Sequence, residues 1–422
     1  MSQIKIVLEY YNTKEKSLFA HFPNIVKLNS LVQSGITISK DELLAYMMFT
    51  EQMDRDGFRT YRELCSRITH RLGDIDDFLS FNNESVQAIM TGNDLMQTSI
   101  TERIGVALGL CVINKIHGLT AADWKKIPTV PGRNGHPTFD FEIPIASTGT
   151  NFIQVENKGS AIADNSLKTG SVSAHYNSIQ DKKDYVRKEE AKRSIPIHQN
   201  YYYGTIGVLD NNENSKAKVW LIDPPAFEIE MKPEKYKLLA RLQFYLDEFK
   251  NIGVKSKITN ALEKRIKEIE ESSDYLSFDN KALDYKYPIA FHLFMDGKMF
   301  AAVDTNEAFG RIFIVQHKQN NIPYLIAFPK ALMRIIILQN FNSILEYEYN
   351  PDFINEDVQV LMRIGIKDLE INKLPLNIKF ILNERRKYFE ATYWGKISHT
   401  NDGRIFGLLE ESKNIKNDYQ NK

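Results

Sequence analysis

Phe139-Asp140-Phe141-Glu142-Ile143-Pro144-Ile145, then Ala146-Ser147-Thr148-Gly149-Thr150, then Asn151-Phe152-Ile153-Gln154-Val155-Glu156-Asn157-Lys158, is the stretch on which the fold turns. Side chains alternate across a strand, so Phe139, Phe141, Ile143 and Ile145 share one face while Asp140 and Glu142 point the other way. In the second run Ile153 and Val155 take the buried face, and Phe152, Gln154, Glu156 and Lys158 line the opposite one. Ser147-Thr148-Gly149, with Gly149 left-handed, is a favoured hairpin connection. That register sets Asp140 opposite Glu156.

Directly opposed residues hold their side chains roughly 5 Å apart, and two carboxylates that close repel unless a cation lies between them. Hard oxygen donors without His or Cys neighbours suit Mg2+ or Mn2+ better than zinc. Lys158, two residues past Glu156, projects to the same side, where its ammonium could hold a phosphate or orient a water. Acid-x-Lys triplets recur at Asp123/Lys125, Glu230/Lys232, Glu248/Lys250 and Asp296/Lys298. At Glu156-Asn157-Lys158 the triplet ends an apolar strand that follows a second strand with an aligned acid.

This arrangement resembles the PD-(D/E)xK nuclease superfamily over about residues 94–210. The resemblance implies an α/β protein with a restriction-endonuclease-like αβββαβ core: a helix, a three-stranded meander, a second helix and a further strand. Residues 99–115 have the spacing of an amphipathic helix, with Gly105 and Gly109 allowing close approach to a sheet. The first core strand is expected within residues 125–130, against the disfavouring Pro128 and Pro131. A helix over residues 171–193 and a β-branched, aromatic strand over 201–209 complete the order.

From the resemblance follow the roles. Asp140 and Glu156 would be catalytic metal ligands, with the Asn157 backbone carbonyl as a further ligand. Lys158 would orient water and balance charge on the phosphate. Glu102, in the first helix, would join the metal site, and Gln180, in the second, would stand beside the scissile phosphate. Ser99-Ile100-Thr101-Glu102 reads equally well as a capping box. The sequence departs from the family pattern in two places. Pro137 stands three residues before Asp140 rather than beside it, and Gln180 to Tyr185 is one residue longer than the commonest signature. Glu142 reads as a solvated strand residue and His136 as a loop residue.

With 422 residues, 43% of them hydrophobic, the chain can furnish several cores. We expect an N-terminal α/β region over 1–93, the nuclease core over 94–225, and a C-terminal α+β domain over 226–422. The last should begin with helices over 233–251 and 255–272 and continue with hairpins turning at Asp296-Gly297 and at Gln319-Asn320-Asn321. Lys plus Arg and Asp plus Glu both number 54, so no global basic field advertises nucleic acid. Contact with DNA would need a local patch such as Lys182, Lys183, Arg187, Lys188, Lys192 and Arg193. Arg59, Arg62, Arg67 and Arg71 read as a solvated helix face. A phosphate-binding loop and zinc-finger spacing are both missing from the sequence, which argues against energy-coupled translocation.

Cys65 and Cys111 are too few for a disulfide framework, which suits a reducing cytoplasm, and no apolar run has bilayer length. The expected activity is a Mg2+- or Mn2+-dependent endonuclease acting on DNA, in prokaryotic restriction or anti-phage defence. Its C-terminal domain would serve recognition, sensing, homodimer formation or a protein partner. The alternative is a non-catalytic nucleic-acid-binding or signalling subunit that keeps the nuclease fold.

Overall fold

Ile4, Ile6 and Leu8 are buried at every second position of β1 (Gln3–Tyr10), the period-2 pattern of a strand with one face in a core. The computed structural model describes residues 3–22, 25–50, 61–82, 84–90, 98–126, 141–145, 151–168, 170–190, 200–212, 215–222, 233–252, 257–284, 300–303, 308–350, 358–365, 379–383, 386–395 and 397–411. The chain divides into a first unit, Met1–Asp56 with Arg71–Arg241, and a second, Gly57–His70 with Leu242–Lys422.

After β1 the first unit continues with α1 (Thr13–Leu18), α2 (Ile25–Ser34), β2 (Ile36–Ser39), α3 (Lys40–Phe49) and the later part of α4 (Tyr61–Phe78). A small hairpin of β3 (Leu79–Asn82) and β4 (Ser85–Ala88) follows. Next come α5 (Thr98–His117), β5 (Lys125–Lys126), β6 (Phe141–Ile145), β7 (Asn151–Ala161), α6 (Ser171–Glu190), β8 (Asn200–Leu209) and β9 (Ala217–Ile222). The strands form one mixed sheet in the order β2-β1-β9-β8-β7-β6-β5. β6 runs antiparallel to both of its neighbours, β5 and β7, whereas β7 and β8, joined through α6, run parallel. Such a parallel pair needs the long crossover that α6 supplies. β9 is buried at every position, as a strand covered on both faces should be.

Glycines set how closely α5 approaches. A Cβ on Gly105 would meet the Lys158 backbone, and one on Gly109 would meet the Asn157 and Thr205 side chains. Gly159 is equally confined, its Cα facing the Thr101 carbonyl. On the opposite face α6 lays Ile179 over Gly204, the ladder partner of Glu156. Val172, Ile206, Val208, Trp220 and Tyr11 close that layer.

The unit is larger than the expected core. Residues 1–93 do not form a separate region, because β1 pairs in parallel with β9 and carries β2 into the same sheet. Nor does the unit stop at 225. Arg241 of the next helix, α7 (Pro233–Ile252), forms a bidentate pair with the fully buried Asp123. Arg71, read as a solvated residue, is buried and donates to the Met48 carbonyl at the end of α3. Arg59, Lys192 and Arg193 lie outside the described residues.

The second unit has the later part of α7, then α8 (Lys257–Glu271), β10 (Phe300–Val303), β11 (Ala308–His317), β12 (Asn320–Pro329), α9 (Lys330–Leu338) and α10 (Phe341–Leu345). It ends with β13 (Val358–Gly365), β14 (Lys379–Asn383), β15 (Arg386–Gly395), β16 (Ser398–His399), β17 (Ile405–Leu408) and β18 (Glu410–Glu411). The order is β14-β15-β13-β10-β11-β12-β17-β16, with β18 returning to β15. Because β17 and β18 are one short run of chain, pairing passes from β12 back to β15 and the ladder closes on itself. The β11–β12 turn is Lys318-Gln319 rather than Gln319-Asn320-Asn321. Both residues have positive φ, 48° and 67°, which matches the twist of a two-residue hairpin. The turn expected at Asp296-Gly297 lies outside the described residues. No described helix is long and apolar enough to cross a membrane.

Candidate active site

Glu156 lies in the middle of β7, with its side chain fully buried. Strand alternation puts Lys158 on the same face, and its Nζ sits 2.6 Å from Glu156 Oε1. Lys182, reaching in from α6, places its Nζ 2.6 Å from the same oxygen. Two ammonium groups thus meet one carboxylate, and both lysine side chains remain about a quarter exposed, 25% and 24%. The cluster therefore lies beside a path to solvent. Glu156 Oε2 is buried and has no hydrogen-bond partner among the described residues.

Asn157 points the other way. Its Oδ1 accepts from Thr205 Oγ1 at 2.7 Å beneath Gly109, so its side chain is committed to the α5 face. Any part it plays on the Glu156 face falls to its backbone. β6 pairs with β7 from Phe141↔Val155 to Ile145↔Asn151, the register expected for these residues from the sequence. Asp140 itself lies outside the described residues, as do His136, Pro137 and residues 146–150. Glu142 pairs with Gln154 on one side and Lys125 on the other.

The donor set suits a divalent cation on one observation. A buried carboxylate oxygen without a partner is costly, and Glu156 Oε2 is such an oxygen. Two adjacent ammoniums oppose a cation unless a second acid joins, and Asp140 is the acid that the sequence nominates. Among the described residues no three His, Cys, Asp or Glu side chains gather as a metal site.

Two nominated residues make no hydrogen bond or ion pair with Glu156. Glu102 is exposed on α5 and forms no hydrogen bond or ion pair with the described residues. The helix starts at Thr98, so Ser99 lies inside it and is not its cap. Gln180 donates from Nε2 to Glu15 Oε1 at 3.0 Å instead. The reason is helical spacing: residues 175, 179 and 182 form one row of α6, and 176, 180 and 183 the next.

His175 belongs to the first row and was not visible as a site residue in the sequence. It donates from Nε2 to the Gly159 carbonyl at 3.0 Å. Burial lowers its pKa, and the Lys158 ammonium adds to that, against the opposing effects of the Gly159 bond and Glu156. Sorting α6 into its two polar rows would have pointed to His175 and Lys182. Nothing local marks Glu15, the fully buried acid that the second row meets. No protein-family model, curated protein or solved structure matches the chain.

Proposed function

We propose that the first unit is a Mg2+-dependent endonuclease on DNA, of the PD-(D/E)xK kind, with prokaryotic restriction or anti-phage defence as its setting. The observation that carries this reading is Glu156: a buried strand carboxylate with two lysines on one oxygen and the other oxygen unpartnered. The order α5-β5-β6-β7-α6-β8, a meander followed by a helix and a parallel strand, supports it. It is the order the resemblance implies.

Glu156, through Oε2, would hold the metal together with Asp140 and the Asn157 carbonyl. When bound, the metal supplies Lewis acidity and an activated water. Lys158 and Lys182 present ammonium groups at the partly exposed side of the carboxylate, where a non-bridging phosphate oxygen can be held and its growing negative charge countered. Burial of Glu156 strengthens its own attraction to the two ammoniums and to a cation at Oε2. The second unit is the element to which target recognition or dimer formation falls.

Purified full-length protein incubated with supercoiled plasmid, linear duplex, single-stranded DNA and RNA, in magnesium, manganese or EDTA, tests the proposal. The expected result is metal-dependent nicking or cutting of DNA that EDTA and Glu156→Ala abolish. DNA binding without cutting in any metal would favour the non-catalytic subunit instead.

A further inference from the structure

We infer that Glu15 is a positioning residue for this site: it fixes α6 so that Lys182 stays on Glu156. The inference rests on the reading of Glu156 as part of a catalytic centre. Glu15, on the short helix α1, is fully buried. Its Oε1 accepts from Tyr176 Oη and from Gln180 Nε2, both at 3.0 Å, and its Oε2 lies 3.7 Å from Lys183 Nζ. The neighbouring residues of the same segment dock on α6 as well. Asn12 caps α1 with Oδ1 and donates from Nδ2 to Tyr176 Oη at 3.2 Å. Tyr11 stacks on Tyr176 with ring centres 4.0 Å apart.

α6 is therefore gripped along two adjacent rows by two buried carboxylates. Tyr176, Gln180 and Lys183 meet Glu15, while Lys182 meets Glu156 and His175 meets the Gly159 carbonyl. An apolar residue at position 15 could pack α1 on α6 without the expense of burying a charge. What the carboxylate adds is direction. Side-chain tips stand about 6 Å from a helix axis, so a rotation of about 20° moves them by about 2 Å, enough to break the contact of Lys182 with Glu156. Three polar side chains on one acid oppose that rotation. The consecutive lysines are thereby sorted, Lys183 to Glu15 and Lys182 to the site.

The test uses full-length protein carrying Glu15→Gln, Lys182→Ala or both, with Gln180→Leu as a second probe if Glu15→Gln does not fold. Carbon- and nitrogen-detected NMR of the lysine side chains, with Lys182 assigned through Lys182→Arg, reads its environment without relying on activity. Single-turnover plasmid cleavage in magnesium and DNA affinity in calcium complete the measurements. Glu15→Gln should shift the Lys182 resonances towards those of a free lysine. It should retain most of the DNA affinity and slow cleavage by up to about a hundredfold, the cost of a misplaced group. The double variant should be no slower than Lys182→Ala alone. Unchanged Lys182 resonances in folded Glu15→Gln overturn the inference, and so do effects of the two substitutions that multiply independently. If the wild type cuts nothing, the catalytic reading fails, and the NMR shift still decides whether Glu15 sets Lys182.

Discussion

Lys182 of α6 touches Glu156 of β7 at 2.6 Å, so a helix residue is tied to the strand acid. Lys158 makes the same contact from within the strand. Replacing either lysine by alanine leaves the buried carboxylate with a single ammonium. Each substitution is expected to slow single-turnover cleavage by roughly a hundredfold, the scale of one electrostatic contact in a transition state. Wild-type rates in both variants, with contaminating nuclease excluded, would remove the pair from the chemistry.

Gly105→Ala and Gly73→Ala should act in opposite directions. At Gly105 a Cβ would overlap the Lys158 backbone, and forcing α5 away from β7 should cost about 1–3 kcal/mol or more. At Gly73, within α4, a Cβ meets nothing within 4 Å, so alanine should stabilise by about 0.4–1 kcal/mol through the unfolded chain. Urea midpoints of the two variants decide the matter; a shift of the same sign in both would contradict the packing described.

Asp123 and Arg241 share contacts of 2.5 and 2.9 Å, both residues being buried. Burial alone would raise the Asp123 pKa, but Arg241, Lys237 and the Thr120 amide outweigh it and hold it below 3.8. A depressed carboxylate contributes stability that is present above its unfolded value and lost as pH falls through its folded one. Its share should therefore vanish only below about pH 4. Arg241→Ala, which strands the charge, should cost about 3–5 kcal/mol at neutral pH. Its deficit against wild type should shrink in acid, as melting curves at pH 7 and pH 3 would reveal.

His117 behaves differently. Its Nε2 and the Tyr203 hydroxyl share a hydrogen bond of 3.0 Å, and burial, with the Lys27 ammonium adding, lowers its pKa from 6.5 to about 3. The unfolded residue takes up a proton below about pH 6.5, the folded one not until about pH 3. Stability thus falls as pH is lowered through that window, by up to about 1.4 kcal/mol per pH unit. His117→Gln should flatten the dependence between pH 6.5 and 4 in urea titrations. Parallel pH profiles for the variant and the wild type would refute it.

Much of the frame was legible because its signals are local. Alternation over β6 and β7, the glycines of α5 and the β-branched run of β8 each declare an element without reference to distant residues. The site was legible along β7 for the same reason, since Glu156 and Lys158 are two residues apart on one strand. Lys182 stood among several basic residues, and its tie to Glu156 depends on the rotation of α6 over the sheet. Glu15 lies more than a hundred residues from its partners, beyond any periodicity. The boundary placed at 225 missed because the residue that binds it further on, Arg241, answers a carboxylate at 123 rather than a neighbour. The hairpin turn slipped because Asn320-Asn321 looks like turn chemistry, whereas Lys318 and Gln319 adopt the left-handed backbone.

The ring of strands in the second unit has a consequence for synthesis on the ribosome. Residues 405–411 pair with β12 through one half and with β15 through the other, and they follow both in the chain. Until they emerge, β12 lacks a partner on its outer edge and β15 lacks one at Tyr393-Trp394, the part of its edge that β14 leaves uncovered; unpaired edges of this kind are templates for joining another chain. A stop codon shortly before Ile405 would leave those edges open for good. Aggregation of the product, rather than a soluble shortened protein, is the outcome this architecture sets.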